Sequence, residues 1–254
     1  VDGPGHIRYG RPPVAMSEKN SYRITCPRCR HEQTVELYES INVKTDPALR
    51  DLLMANQVNV VTCGNCEFGF RVDKTLVYHD PARRVLIYWI PVAEADYEQG
   101  EEQFGELLRQ MNAVLPDDLR APEVHLVFSR TELVERIFLL EAGLNDRLIE
   151  YIKYTIYSRN TRLNPAQKYL LFNAQDSTAD HLCFVVQDVA TRKFEAVLQY
   201  DRKAYQALLE TFAAEEKSAD LLELFPGPHI SARMLLIRES QAEESEPPSP
   251  PAPP

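Results

Sequence analysis

Two short stretches constrain this chain more than any others: Cys26-Pro27-Arg28-Cys29 and Cys63-Gly64-Asn65-Cys66, two Cys-x-x-Cys turns with 33 residues between them. They hold four of the five cysteines in 254 residues. The two sulfurs of such a turn lie about one edge of a metal tetrahedron apart, so two turns set face to face build a closed thiolate cage, the coordination that structural zinc takes. Pro27 suits the first turn because it fixes φ and gives up an N–H, leaving Arg28 and Cys29 to aim amides at the Cys26 sulfur. Many such knuckles place glycine after the second cysteine to accept φ > 0; here those positions hold Arg30 and Glu67.

Two rivals need features that this chain does not supply. Secreted disulfide scaffolds are small and cysteine-dense, and no secretory segment is evident here. A thioredoxin-like motif opens a helix after a buried strand. Cys26 instead lies between Tyr22-Arg23-Ile24-Thr25 and His31-Glu32-Gln33-Thr34-Val35-Glu36-Leu37, two alternating runs that read as the hairpin of a zinc ribbon. The expected cofactor is one structural Zn2+, with Cys26, Cys29, Cys63 and Cys66 as ligands.

The chain in order suggests an α+β protein: an N-terminal zinc-ribbon-like β domain with an inserted helix, a helical middle segment, and a small C-terminal α/β domain. Residues 1–20 read as a disordered leader, with Met16 a natural start, and residues 21–92 as the ribbon domain. Thr45 or Asp46 caps an inserted helix with Pro47 at its first position, which accounts for the long gap between the turns. Val58 to Val61 leads into the second turn, Phe68, Phe70 and Val72 leave it by twos, and further strands are expected over Thr75–Tyr78 and Val85–Ile90. Within a middle segment of residues 93–165, residues 94–120 read as an acidic linking stretch whose helix ends at Pro116. A strand at Val124–Phe128 and two helices follow, the first stopped at Gly143 and the second capped by Asn145. Residues 166–238 hold strands at Tyr169–Phe172, Leu182–Val186 and Phe194–Tyr200, a helix capped by Asp201, and a final strand over Met234–Ile237. Residues 239–254 read as a disordered tail rich in Glu, Ser and Pro.

The net charge of −10 argues against wholesale nucleic-acid binding, yet it is uneven. Residues 1–90 carry twelve Lys and Arg against ten Asp and Glu. No run approaches the ~20 apolar residues of a membrane span. With thiols kept reduced, this points to a soluble, cytoplasmic protein without membrane contact.

Taken together, Cys26-Pro27-Arg28-Cys29, the Gln57-Val58-Asn59 approach to Cys63-Gly64-Asn65-Cys66, and the segment Glu141 to Arg147 with Ile149-Glu150 after it resemble the CpXC protein family. This is a bacterial and archaeal group named for paired Cys-Pro-x-Cys motifs, and the resemblance covers roughly residues 21–163. It departs at Gly64, where the name asks for proline; the turn becomes looser and no ligand is lost. The resemblance implies the metal site, and it brings no assigned activity and no catalytic residue.

Catalytic zinc keeps an open position for water, and four cysteines leave none. His31 could displace one cysteine, though a histidine beside a knuckle more commonly lies in solvent or behind the ligands. Cys183, in Leu182-Cys183-Phe184-Val185-Val186, reads as a small buried hydrophobe, with His181 two residues away a weak candidate base. No catalytic constellation stands out, and the leading expectation is a non-enzymatic zinc protein acting through contacts with a protein partner. The alternative is a single-stranded nucleic-acid binder that uses Arg23, Arg28 and Arg30 with the basic, tyrosine-rich stretch 147–169, where Arg147, Lys153, Arg159 and Arg162 would meet phosphates. Against it, tyrosines at the edge of an amphipathic helix and bases near its C-terminus stabilise the helix on their own account. A thiol redox or zinc-dependent enzyme ranks last.

Overall fold

The structure, a computed structural model, describes residues 16–114 and 123–245. Of the leader expected over residues 1–20, the first fifteen lie outside the described residues, as do the helix stop expected at Pro116 and the tail from residue 246. Glu18 to Asn20 already belong to the first strand, held by pairing with a partner strand that the leader reading did not foresee. The architecture is α+β, with helices and three sheets. Two compact units divide it: the described part of Val1–Val134 with Gly227–His229, and the described part of Glu135–Pro254 without those three residues. No helix among the described residues is long and apolar enough to cross a membrane.

The first unit is built on a five-stranded sheet with order β1-β2-β5-β6-β7. β1 (Glu18–Thr25) and β2 (Glu32–Asn42) form the first hairpin, with Thr25 facing Glu32 next to the Cys26 turn. β2 is long enough to pair twice: its last residues, Ser40 to Asn42, run parallel to Val77–His79 of β5 (Leu76–Asp80). Parallel neighbours need a crossover of a dozen or more residues, and this one carries α1 (Pro47–Met54) and a separate hairpin, β3 (Val60–Thr62) with β4 (Gly69–Arg71), whose tip is the second cysteine turn. Pro47 stands at the start of α1 as expected, although Asp46 makes no side-chain cap there. The last carbonyls of α1, those of Leu53 and Met54, accept from Arg130 at 2.6 and 3.3 Å.

β6 (Val85–Trp89) pairs antiparallel with β5 and parallel with β7 (Glu123–Val127). The acidic stretch read as a linker is therefore part of the fold: it forms a short 3-10 turn and α2 (Tyr97–Val114), the crossover helix between two adjacent parallel strands. The sequence hid this because α2 shows only weak apolar periodicity and its sheet partner is distant in the chain. Phe104 of α2 is 1 % exposed and packs at a tilt against Tyr88 with ring centroids 4.9 Å apart, and Trp89 is buried in the core.

α3 (Arg130–Glu141) opens on a reciprocal cap that the sequence reading missed. Glu132 accepts the N–H groups of Phe128 and Ser129 at 2.8 and 3.2 Å, while the Ser129 hydroxyl accepts from the Glu132 N–H at 3.2 Å. Gly143 ends the helix at φ 66°, and Asn145 caps α4 (Asp146–Arg159) by accepting from the Leu148 N–H at 3.0 Å.

The second unit holds an antiparallel sheet of β8 (Lys168–Asn173), β9 (His181–Asp188) and β10 (Phe194–Asp201), with β9 central. α4, α5 (Arg202–Thr211), α6 (Glu215–Leu224) and α7 (Ala232–Ser245) supply its helical layer. Leu148, Ile149 and Ile152 of α4 pack into one core with Leu170, Phe172, Leu182 and Phe184 of the strands. Asp201 caps α5 as expected, accepting from the Lys203 N–H at 2.7 Å. The strand expected over Met234–Ile237 is instead part of α7, which runs on through Ser245 into the stretch read as tail. A short apolar run has no helical or strand signature of its own; Ser231 decides by capping, its hydroxyl accepting from the Met234 N–H at 3.3 Å.

Candidate metal centre

The two knuckles are the same object built twice. In the first, Cys26 donates its N–H to the His31 carbonyl at 2.9 Å and accepts at its own carbonyl from Arg30 at 3.0 Å. In the second, Cys63 donates to Phe68 at 3.0 Å and accepts from Glu67 at 2.9 Å. Arg30 and Glu67 take φ of 62° and 56°, so the left-handed position that often holds glycine is present in both turns and occupied by larger residues.

Each hairpin tip contributes two sulfurs. Cys26 and Cys63 are buried, Cys29 and Cys66 half-buried, and the four Sγ atoms lie within 4.8 Å of one another. The closest pairs join one hairpin to the other: Cys26 to Cys66 at 3.7 Å and Cys29 to Cys63 at 3.6 Å. A disulfide would hold the sulfurs at about 2.05 Å, so these are free thiols gathered around a common point, and they can hold a metal ion.

The surrounding donors polarise the sulfurs unequally. The Asn65 side-chain amide, 3.6 Å from Cys29 Sγ, and the His31 N–H draw the Cys29 thiol down to about 6. Burial works against ionisation of Cys26, but the N–H groups of Cys29 and Arg28 prevail and hold it below the ordinary thiol range. Cys66 is pushed up to about 12: the Phe68 N–H favours its thiolate, and burial together with the three neighbouring thiols outweighs that. A cation held here would displace the remaining thiol protons, because thiolates and not thiols are the ligands.

Three amide side chains that the sequence reading gave no role fix this geometry. Gln33, on β2, donates to the Thr62 carbonyl at 3.1 Å and accepts from the Gly64 N–H at 2.9 Å. Asn59 clasps Tyr38 of β2 in the same way, accepting from its N–H at 2.7 Å and donating to its carbonyl at 3.0 Å. Asn65 reaches across from the second turn to a sulfur of the first. The crossover hairpin is thus stitched along β2 by side chains instead of a backbone ladder. The available signal was an amide residue four positions after Cys29 and another four before Cys63. Gly64 also acquires a reason: proline there would have no N–H for Gln33.

The remaining candidates fall apart spatially. His31 is exposed, and Arg23, Arg28 and Arg30 are exposed on the first hairpin, with the Arg28 guanidinium 5.7 Å from the centroid of the half-exposed Phe68 ring. The stretch 147–169 does not present one basic face. Lys153 is 4 % exposed and ion-paired with Glu135 and Glu150, each at 2.7 Å. Burial disfavours the Lys153 ammonium, but the two carboxylates outweigh this and raise its pKa, so it is bound inside the second unit and out of reach of a phosphate. Arg147 is half-buried and donates to the Phe225 carbonyl at 3.2 Å. Tyr157 is buried, its hydroxyl donating to the Lys168 carbonyl at 3.0 Å. Arg159 and Arg162 stay exposed. Cys183 is buried and donates its thiol to the Asp176 carbonyl at 3.1 Å, while His181 is exposed, in keeping with Cys183 as a core residue.

No curated protein and no solved structure matches the chain significantly. The family model described as CpXC protein matches residues 24–153, just over half of the chain, and the match takes in both cysteine turns, the stitching amides and the crossover between them. The chain belongs to the CpXC protein family.

Proposed function

We propose that this is a non-enzymatic zinc protein whose metal fastens the crossover hairpin to the first hairpin, and that it acts as a protein-interaction or adaptor module. The carrying observation is the gathering of two sulfurs from each hairpin tip within 4.8 Å. With Zn–S bonds of about 2.3 Å, a tetrahedron has edges of about 3.8 Å, close to the 3.7 and 3.6 Å separations of the two inter-hairpin pairs. Soft thiolates favour zinc among common divalent ions. Four of them complete the coordination and leave no position for a reacting water, which supports a structural role. The rim offers what a partner needs, an exposed Phe68 with Arg28 beside it and Arg30 also exposed on the first hairpin, a composition suited to an acidic protein segment.

The structural role is tested by chelation followed by hydrogen exchange. β3 and β4 are three residues each, and an isolated hairpin is marginal without support. Removing the metal is expected to release amides over residues 24–33 and 58–72 while β5, β6 and β8–β10 stay protected. Unchanged protection at both knuckles would reject a structural metal.

The nucleic-acid reading retains one supporting observation, the exposed Arg28–Phe68 pair at the cage rim, since a base can stack where an arginine already does. Against it stands the net charge of −10, which repels oligonucleotides. Single-strand titration at two salt concentrations separates the cases. No measurable binding is expected. Salt-steep binding that is lost in Arg28→Ala/Arg30→Ala, and kept in Arg159→Ala/Arg162→Ala, would replace the adaptor reading.

A further inference from the structure

A free sheet edge is a row of N–H and C=O groups ready to pair with another strand, and proteins usually cover or charge it. Among the described residues the two larger sheets have four edges, and they are treated differently. At β7 the Leu126 N–H donates to the Pro228 carbonyl at 2.9 Å. At β8 the Phe172 N–H donates to the Glu135 carboxylate at 2.5 Å, and the Lys168 carbonyl accepts the Tyr157 hydroxyl at 3.0 Å. β1 presents Lys19 and Arg23, with Ile24 its single aliphatic residue. β10 has eight residues without proline, and no described residue pairs with its backbone on the side away from β9. It exposes Phe194 to 70 % and Val197 to 55 %.

The strand registers show what lies behind those residues. Val197 faces Val185 of β9, and Val185 faces Leu171 of β8, so one apolar row crosses the outer face of the sheet and stops at the bare edge. A bulge between Phe194 and Ala196 brings Phe194 opposite Gln187, next to that row and on the same face.

We propose that β10 is a dimerisation edge, pairing antiparallel with β10 of a second copy about a two-fold axis at Val197 and joining two three-stranded sheets into one of six strands. A strand paired with itself in this way has its axis at a residue, because facing residues share one hydrogen-bonding type. Placing that axis at Val197 sets Val197 against its own copy, continues the Leu171–Val185–Val197 row unbroken into the second molecule, and sets Leu198 against Ala196 on the helix-covered face. An axis at Leu198 or Gln199 would set Val197 against Gln199 or Asp201, and one at Ala196 would run it into the bulge beside Glu195. Of the registers clear of the bulge, the Val197 axis is the one that gives the exposed valine an apolar partner. The proposal is independent of the metal reading, since the strand and its cross-sheet row belong wholly to the second unit.

The test uses the full, metal-loaded chain. Sedimentation across a wide concentration range is expected to give a reversible species of twice 29.1 kDa. Val197→Lys, at an exposed position that the fold does not depend on, puts two ammonium groups face to face and is expected to weaken dimerisation at least about tenfold with an unchanged far-UV spectrum. Register is read by cysteine substitution. Val197→Cys places two thiols directly opposite and is expected to cross-link to its own copy, as mapped by peptide mass spectrometry. Gln199→Cys, whose copies would lie about 13 Å apart along the strands, is expected not to. A monomer at every concentration would overturn the proposal, including the case in which the edge receives a different protein. A dimer that Val197→Lys leaves intact, or one that cross-links through Gln199→Cys and not Val197→Cys, would overturn it equally.

Discussion

Arg30 and Glu67 hold the left-handed backbone conformation at corresponding places in the two knuckles, φ 62° and 56°. For a residue with a Cβ this costs about 1–2 kcal/mol, against roughly 0.5–1 kcal/mol of extra chain entropy lost by glycine. Arg30→Gly and Glu67→Gly are each expected to raise the stability of the metal-loaded chain by about 0.5–1 kcal/mol in denaturant titration. A loss of stability in both would mean that these side chains do more at the rim than their exposure indicates. The same positions show how far single residues can be read from sequence. Paired cysteines at fixed spacing announce their chemistry because few folds use them otherwise. Lys153 announced the wrong one: a lysine between tyrosines on a helix looks solvent-facing until the helix is packed, and its carboxylate partner Glu135 comes from a different helix.

At the scale of elements, most helices and strands were legible because capping and alternation are local. Gly143, Asn145 and Asp201 each act where their chemistry places them. What stayed hidden was pairing at long range. β2 serves both the first hairpin and the parallel sheet, and α2 is a crossover because of two strands on either side of it. The segment Gly227–His229 is the extreme case, since it lies in sequence between α6 and α7 of the second unit yet belongs to the first. His229 is 3 % exposed in its side chain and lies 2.5 Å from Glu101 and 3.5 Å from Glu132. Burial opposes its charge, but the bond to Glu101 and then Glu132 raise its pKa to about 9, and the same contact holds Glu132 down to about 2. These two shifts express one interaction and are not added. Because the folded pKa exceeds the unfolded value, the stabilisation is complete below about pH 6.5. It then declines as pH rises through 9, by an amount on the order of 3 kcal/mol. Denaturant titration from neutral to alkaline pH is expected to show this decline in the wild type and a much flatter profile in His229→Gln. Parallel profiles would assign the pH dependence to other groups.

For the whole molecule, one metal ion would tie the first hairpin to a crossover that the strand ladder alone leaves loosely held. Among the described residues the side-chain hydrogen bonds that fasten β3–β4 to β2 and its knuckle come from Gln33, Asn59 and Asn65, with Arg28 set against Phe68 beside them. Structural zinc supplies roughly 10–16 kcal/mol of apparent binding energy in small fingers, far more than these three amides at about 1 kcal/mol per bond. The second unit buries Arg136 with Asp146, and Lys153 with Glu135 and Glu150, so these charges serve its packing. The decisive measurement is metal content with sulfur coordination on freshly reduced protein, by elemental analysis and X-ray absorption at the zinc edge. One zinc per chain with four sulfurs at about 2.3 Å is expected, with loss of that shell in Cys63→Ser. A chain that carries no zinc, or one whose zinc shows nitrogen or oxygen ligands and survives Cys63→Ser unchanged, would contradict it.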